Sequence, residues 1–289
     1  MNRPVALVSD SALDLGDELS ARYGVRFVPL RITVGGASYR DGAELTPDQL
    51  FALCRRTGEL PKTSAPNPAD YAAVFREAVD AGCAVVCFCL SGELSSSYRN
   101  ARLAAGEFED VYVVDTRSLS TGGGLLLAAA GDMASDGCSA AEIADTCREL
   151  CDHADVTFVL SDLEYLRRGG RCSALAALGA NLMQLKPAIT VRGGTMRVGK
   201  KYRGRFSGVL QQYADDRLRD LADVDTRRAF VAYADCDMAI VERIREQVRA
   251  LGVFGEVPLV RAGCTISSHC GRGTFLISYL RKHAVSGER

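Results

Sequence analysis

Short apolar runs rich in valine and isoleucine alternate with stretches of helical period through the first half of the chain, and that alternation leaves few folds open. VALVSD is followed by DLGDELSARYG, and VRFVPLRITV by a helical pattern around TPDQLFALCRRTG. KTSAPNPADYAAVFREAVDAG then leads into AVVCFCL, with Asn67 or Pro68 beginning a helix that runs to Gly82. VYVVDTRS is a further strand, and TGGGLLLAAAGDMASDG a helix closed by Gly137. Strand and helix in turn read as βαβ units built on a parallel sheet.

From about Asp155 the texture changes. VTFVLSD reads as a strand, LEYLRRGG as a short helix and CSALAALGANLMQL as an apolar helix, while PAITVRGGTMRVGKKYRG reads as a hairpin turning at Gly193 and Gly194. Next come a helix (GVLQQYADDRLRDL), a strand (RAFVAYAD), a helix (AIVERIREQVRALG), a strand (VPLVRA) and a terminal helix (FLISYLRKHA). The expectation is two domains: an N-terminal α/β domain over 1–155 with a parallel sheet, and a C-terminal α+β domain over 156–289 with an antiparallel or mixed sheet. No low-complexity linker separates them, so they should share an interface, a favoured place for a ligand cleft.

Charge narrows the function. Lys and Arg number 35 against 36 Asp and Glu, a net charge of -1, which gives no general pull towards nucleic acid or anionic membranes. The eleven cysteines lie in apolar segments (Cys83, Cys87, Cys89) or helical ones (Cys147, Cys151) without a disulfide framework, as expected of free thiols in a reducing cytoplasm. The apolar stretch of MNRPVALVSD is too short for a signal sequence or a membrane span, so the expected protein is soluble and cytoplasmic, with no integral membrane segment.

The candidate chemistry starts at AVVCFCLSGELSSSYRN, Ala84 to Asn100, where a strand runs into a loop of serines followed by a helix. Such a loop lies where α/β sheets hold ligands, and hydroxyls there suit a small anion. No P-loop lysine accompanies them, which argues against a nucleoside triphosphate. A turn and helix N-cap account for at least one of Ser95, Ser96 and Ser97, and at least one is free to bind. Thr63 and Ser64, ahead of two prolines, can either cap the next helix or donate to a ligand. His269 stands in a glycine-rich loop at an apparent helix start, a position that favours anion contact. The spacing of Cys264, His269 and Cys270 fits no common zinc pattern, so no metal is expected. Gly122, Gly123 and Gly124 fit close helix packing better than a phosphate loop, and Asp10 and Asp115 fit turns better than catalysis. Arg167–Arg171 and Lys200–Arg205 are basic clusters whose glycines let a partner approach. G-x-S-x-G, a serine with evident His and Asp partners, and paired carboxylates are all missing, so the residues describe binding better than bond breaking.

Several of these motifs, in this order, resemble the DegV fatty-acid-binding proteins. VSDSALDL resembles that family's opening strand and D-S pair, VPLRITVGGASYRDG its Y-x-D-G turn, and KTSAPNPADY its T-S-x-P segment. LSGELSSSYRNA is similar to its serine loop, YLRRGGRCS to its Y-L-x-x-G-G-R segment, and NLMQLKPAITVRGGTMRVGKKYRG to its hairpin region. The resemblance implies a tunnel between two domains holding a long-chain fatty acid as ligand, with no cofactor. It implies that Thr63, Ser64, Ser95 and His269 meet the carboxylate, joined by Ser96, which stands where the family keeps a glycine. It further implies a carrier without its own catalytic centre that presents the acid to a separate ATP-dependent fatty-acid kinase for acyl-phosphate formation and phospholipid synthesis. Arg171 and Arg203 match the arginines that would meet that kinase. Arg272 replaces a proline and could either pair with the carboxylate or point into solvent. The alternatives are a small-anion phosphotransferase or hydrolase using His269, and a nucleic-acid-binding regulator, which the net charge opposes.

Overall fold

A computed structural model describes residues 3–173 and 185–285. The alternating first half forms a parallel four-stranded sheet in the order β2 (Arg26–Val28), β1 (Val5–Asp10), β6 (Ala84–Cys89), β7 (Val111–Asp115). Every residue of β6 is buried, the reason it reads as an unbroken apolar run. Helices α3 (Pro68–Asp80) and α4 (Ser97–Ala105) cover one face through Tyr71, Phe75 and Ala101; α5 (Ser120–Ser135) and α6 (Ala140–Leu150) cover the other. Asn67 caps α3 with a reciprocal capping box to Asp70, and Pro68 occupies its first turn.

The second half supplies a mixed six-stranded sheet, ordered β10 (Thr195–Arg203), β9 (Leu185–Arg192), β8 (Ala154–Leu160), β13 (Thr274–Arg281), β11 (Val224–Ala234), β12 (Leu259–Arg261). All its pairings are antiparallel except β11 with β12. Helices α8 (Phe206–Arg217) and α9 (Met238–Ala250) cover its outer face. Its inner face packs on α5, which is therefore sandwiched between the two sheets. The glycines of α5 make that possible: a Cβ on Gly123 would lie 2.3 Å from a Leu13 methyl, and one on Gly124 2.3 Å from the Asp14 carbonyl oxygen. The TGGG run is a packing device.

Two sequence expectations fail here. FLISYLRKHA is the central strand β13, between β8 and β11. A strand buried on both faces has no alternation and cannot be told from a buried helix by period. VRFVPLRITV is broken around Pro29 into β2 and β3 (Arg31–Val34), and β3 joins a small antiparallel sheet with β4 (Ala37–Arg40) and β5 (Lys62–Ser64). The expected helix over CSALAALGANLMQL lies largely outside the described residues. All eleven thiols are free, and among the described residues no helix is long and apolar enough to cross a membrane.

Candidate functional site

The serine loop leaves β6 at Cys89 and is tied down on both sides. Ser91 Oγ donates to the Gly194 carbonyl at 2.8 Å, joining the loop to the tip of the β9–β10 hairpin. Ser95 Oγ accepts from the Ser97 backbone N–H at 3.2 Å and lies 3.0 Å from Ser97 Oγ, so it serves the start of α4 while lining a cavity. Ser96 has φ -80° and ψ 1°, a backbone open to any L residue, so serine fits there without strain.

Thr63 and Ser64 sit in β5, and the capping of α3 falls to Asn67, which leaves their hydroxyls for other partners. His269 corrects its sequence reading. It lies in the last turn of α10 (Cys264–Cys270), which Gly271 closes at φ 75° before the chain enters β13. The helix N-terminus expected beside it does not exist. Seven residues, CTISSHC, carry too little periodic signal to announce a helix.

Fold brings these segments around one cavity of about 280 Å³. Thr63, Ser64, Ser95, Ser96, Thr265 and His269 give it polar wall, and Leu30, Leu90, Leu94, Leu119, Met196 and Ile266 apolar wall; Arg171 lies on its exposed edge. Thr63 Oγ1 and His269 Nε2 are 2.7 Å apart. Burial, reinforced by the Arg171 charge, pushes the imidazole down to about 4, so it is neutral at physiological pH. Its Nδ1 is buried without a partner among the described residues and sits against Gly169, where a Cβ would come within 2.6 Å. A neutral imidazole and the hydroxyls of Thr63, Ser64, Ser95 and Ser96 can hydrogen-bond an anion without bringing a buried charge of their own.

Three buried carboxyls hold this arrangement together, and sequence reasoning did not find two of them. Asp41 accepts from Cys264 N at 3.0 Å, Thr265 N at 3.1 Å, Thr265 Oγ1 at 2.6 Å and Ser11 Oγ at 2.9 Å. Asp14 accepts from Gly263 N at 2.9 Å and Ser120 Oγ at 2.5 Å. Asp10, expected as a turn former, accepts from Leu90 N at 2.8 Å and Ala12 N at 3.1 Å and so anchors the serine loop. Burial pushes Asp10 and Asp14 up to about 7. Asp115 receives the Arg117 N–H at 2.9 Å and that of Gly92 at 3.2 Å, a loop-fixing role like that of Asp10.

A family model described as an uncharacterised protein of the DegV family matches residues 4–282. The chain belongs to the DegV family. It is 37% identical over 202 residues to a DegV domain-containing protein of Deinococcus radiodurans, covering 70% of this chain and 72% of that one. Its structure is similar to that of a DegV family protein from Thermus thermophilus described as binding fatty acid, with TM-score 0.87 and 34% identity, covering 97% of this chain and all of the other (100%). A stearic-acid-binding protein from Eubacterium ventriosum matches with TM-score 0.82 and 28% identity over 96% of this chain and 98% of its own.

In this DegV chain two residues stand apart from the cavity. Arg203 is exposed at the end of the edge strand β10. Arg272 pairs with Asp235 across a separate surface groove and does not line the cavity, so of its two expected roles the carboxylate contact is not seen. Thr265 and Met196 line the cavity without having been singled out; no motif marks either one, because each is brought in by a distant element.

Proposed function

We propose that this DegV chain binds a long-chain fatty acid, its carboxylate held among Thr63, Ser64, Ser95, Ser96 and His269 and its tail against the leucines, Met196 and Ile266. One observation carries the reading: a single cavity joins neutral hydrogen-bond donors to an apolar wall. The descriptions of the Thermus and Eubacterium proteins as fatty-acid binders support it. Burying about fourteen methylenes at about 0.8 kcal/mol each offers roughly 11 kcal/mol gross, before association and ordering costs. The hydroxyls and imidazole then prevent a desolvation loss of several kcal/mol at the carboxylate.

The finer role is a cytoplasmic carrier that presents the carboxylate to a separate ATP-dependent kinase for acyl-phosphate formation and phospholipid synthesis. Arg171 on the exposed edge of the cavity and Arg203 on the edge strand are the residues assigned to that meeting, with the domain division near residue 155 flanking the ligand. The Thr63–His269 pair also has the spacing of a hydroxyl and its base, which favours a hydrolase as second reading. Such a base needs an orienting partner on its other nitrogen, and among the described residues Nδ1 has none. Solvent extraction and mass spectrometry of the purified protein test the first reading: it expects a co-purifying long-chain fatty acid, and the absence of both co-purifying fatty acid and saturable uptake of added fatty acid overturns it. A covalent adduct seen by intact mass after exposure to acyl esters would instead establish the second.

A further inference from the structure

The outer face of the six-stranded sheet is covered by α8 only as far as Arg217, and the face beyond is polar where a packed sheet would be apolar. Val159 and Ala188 pack under α8; two residues along, Thr157 and Thr190 stand opposite each other, with Arg197 next across from Thr190. Together with Asp155, Arg192, Arg217 and Arg281 they line a cleft of about 780 Å³, on the opposite face of the sheet from Met196 of the acyl cavity.

Three guanidinium groups converge there on one carboxylate. Asp155, 3% exposed, pairs with Arg192 at 3.0 Å, Arg217 at 2.9 Å and Arg281 at 2.7 Å. A buried carboxylate needs about one opposing charge, so this cluster keeps a surplus of two positive charges (three arginines less one aspartate). Asp220 and Asp223 at the rim offset part of it, and with Arg197 the lining comes to four arginines against three aspartates, a surplus of one. Arg197 has no ion pair, and the Thr157 and Thr190 hydroxyls have no hydrogen-bond partner, among the described residues.

We propose that this cleft is a second ligand site, separate from the acyl cavity, that takes a small molecule carrying phosphoryl groups. A tetrahedral anion accepts hydrogen bonds from several directions at once, and the cleft offers hydroxyls on its floor and guanidinium groups on its walls; a planar carboxylate needs only one fork. Burial alone would raise the Asp155 carboxyl, but the charges of Arg217 and Arg192 outweigh it and hold the group below the usual range, so the charge pattern is fixed at physiological pH.

Titration calorimetry of the purified chain with pyrophosphate and, separately, orthophosphate at constant ionic strength tests it. The expected result is one saturable site for at least one of the two anions, weakened tenfold or more by Arg197→Ala and by Thr190→Val, with the fatty-acid content of both variants unchanged. Arg197 is exposed and unpaired, so its loss leaves folding intact. Preference between the anions tells one phosphoryl group from two. The proposal is overturned if neither anion binds saturably, or if binding is the same in Arg197→Ala and Thr190→Val as in the wild type.

Discussion

His269 acts at the scale of a single residue as a neutral hydrogen-bonding group. With its imidazole pushed down to about 4, it stays neutral, with a single ring N–H, across the physiological range, and the stability this represents is present above pH 6.5 and lost as pH falls towards 4. Ser95→Ala and His269→Ala should each weaken fatty-acid affinity about tenfold or more, the loss of one hydrogen bond to a charged group; displacement of a fluorescent fatty acid measures it, and unchanged affinity in both removes them from the site. Asp14 has the opposite sign. Burial pushes its carboxyl up to about 7, against about 4 in an unfolded chain, so its contribution is full below pH 4 and is lost as pH rises through 7. Asn at this position can still accept from Gly263 N while donating to a turned Ser120 hydroxyl. Asp14→Asn should therefore gain stability relative to wild type by on the order of 1–4 kcal/mol as pH is raised from 4 to 8, read from urea midpoints; a pH-independent difference refutes the assignment. The hydroxyls of Thr63 and Ser95 were legible as candidates in short motifs. The work of Asp14 and Asp41 was not, because their partners at the start of α10, Gly263 and Cys264, are more than two hundred residues away.

At the scale of elements, the molecule turns on α5, buried between two sheets. Gly124→Ala forces a methyl to 2.3 Å from the Asp14 carbonyl and should cost about 2–3 kcal/mol in stability. Gly208→Ala, in exposed α8 with nothing within 4 Å, should be neutral or stabilising by up to about 1 kcal/mol. Denaturant unfolding of the pair checks the contrast, and equal effects would contradict the packing role of the TGGG run. Helices with strong caps and amphipathic period, such as α3 and α9, were readable where they stand. The short α10 and the central β13 were not, since one is too brief to show a period and the other is buried on both faces.

At the scale of the whole molecule, the proposed acyl cavity draws on both halves of the chain: Thr63 and Ser95 come from the first, Arg171, Met196 and His269 from the second. If the chain acts as the proposed carrier, its partner contacts should lie outside the cavity's interior. Arg171→Ala and Arg203→Ala are expected to retain bound fatty acid yet lower kinase-dependent acyl-phosphate formation several-fold, measured in a reconstituted assay; full coupling in both variants refutes the partner assignment. The sequence by itself determined the parallel sheet, the hairpin at Gly193–Gly194 and the hydroxyl-rich loop, because period, turn residues and caps act over a few neighbouring positions. Only the tertiary structure decided that β13 lies at the centre of its sheet, that His269 ends a helix and meets Thr63, and that buried aspartates tie α10 to the first strand's loop. Those outcomes come from burial and long-range hydrogen bonding, which leave no local period to read.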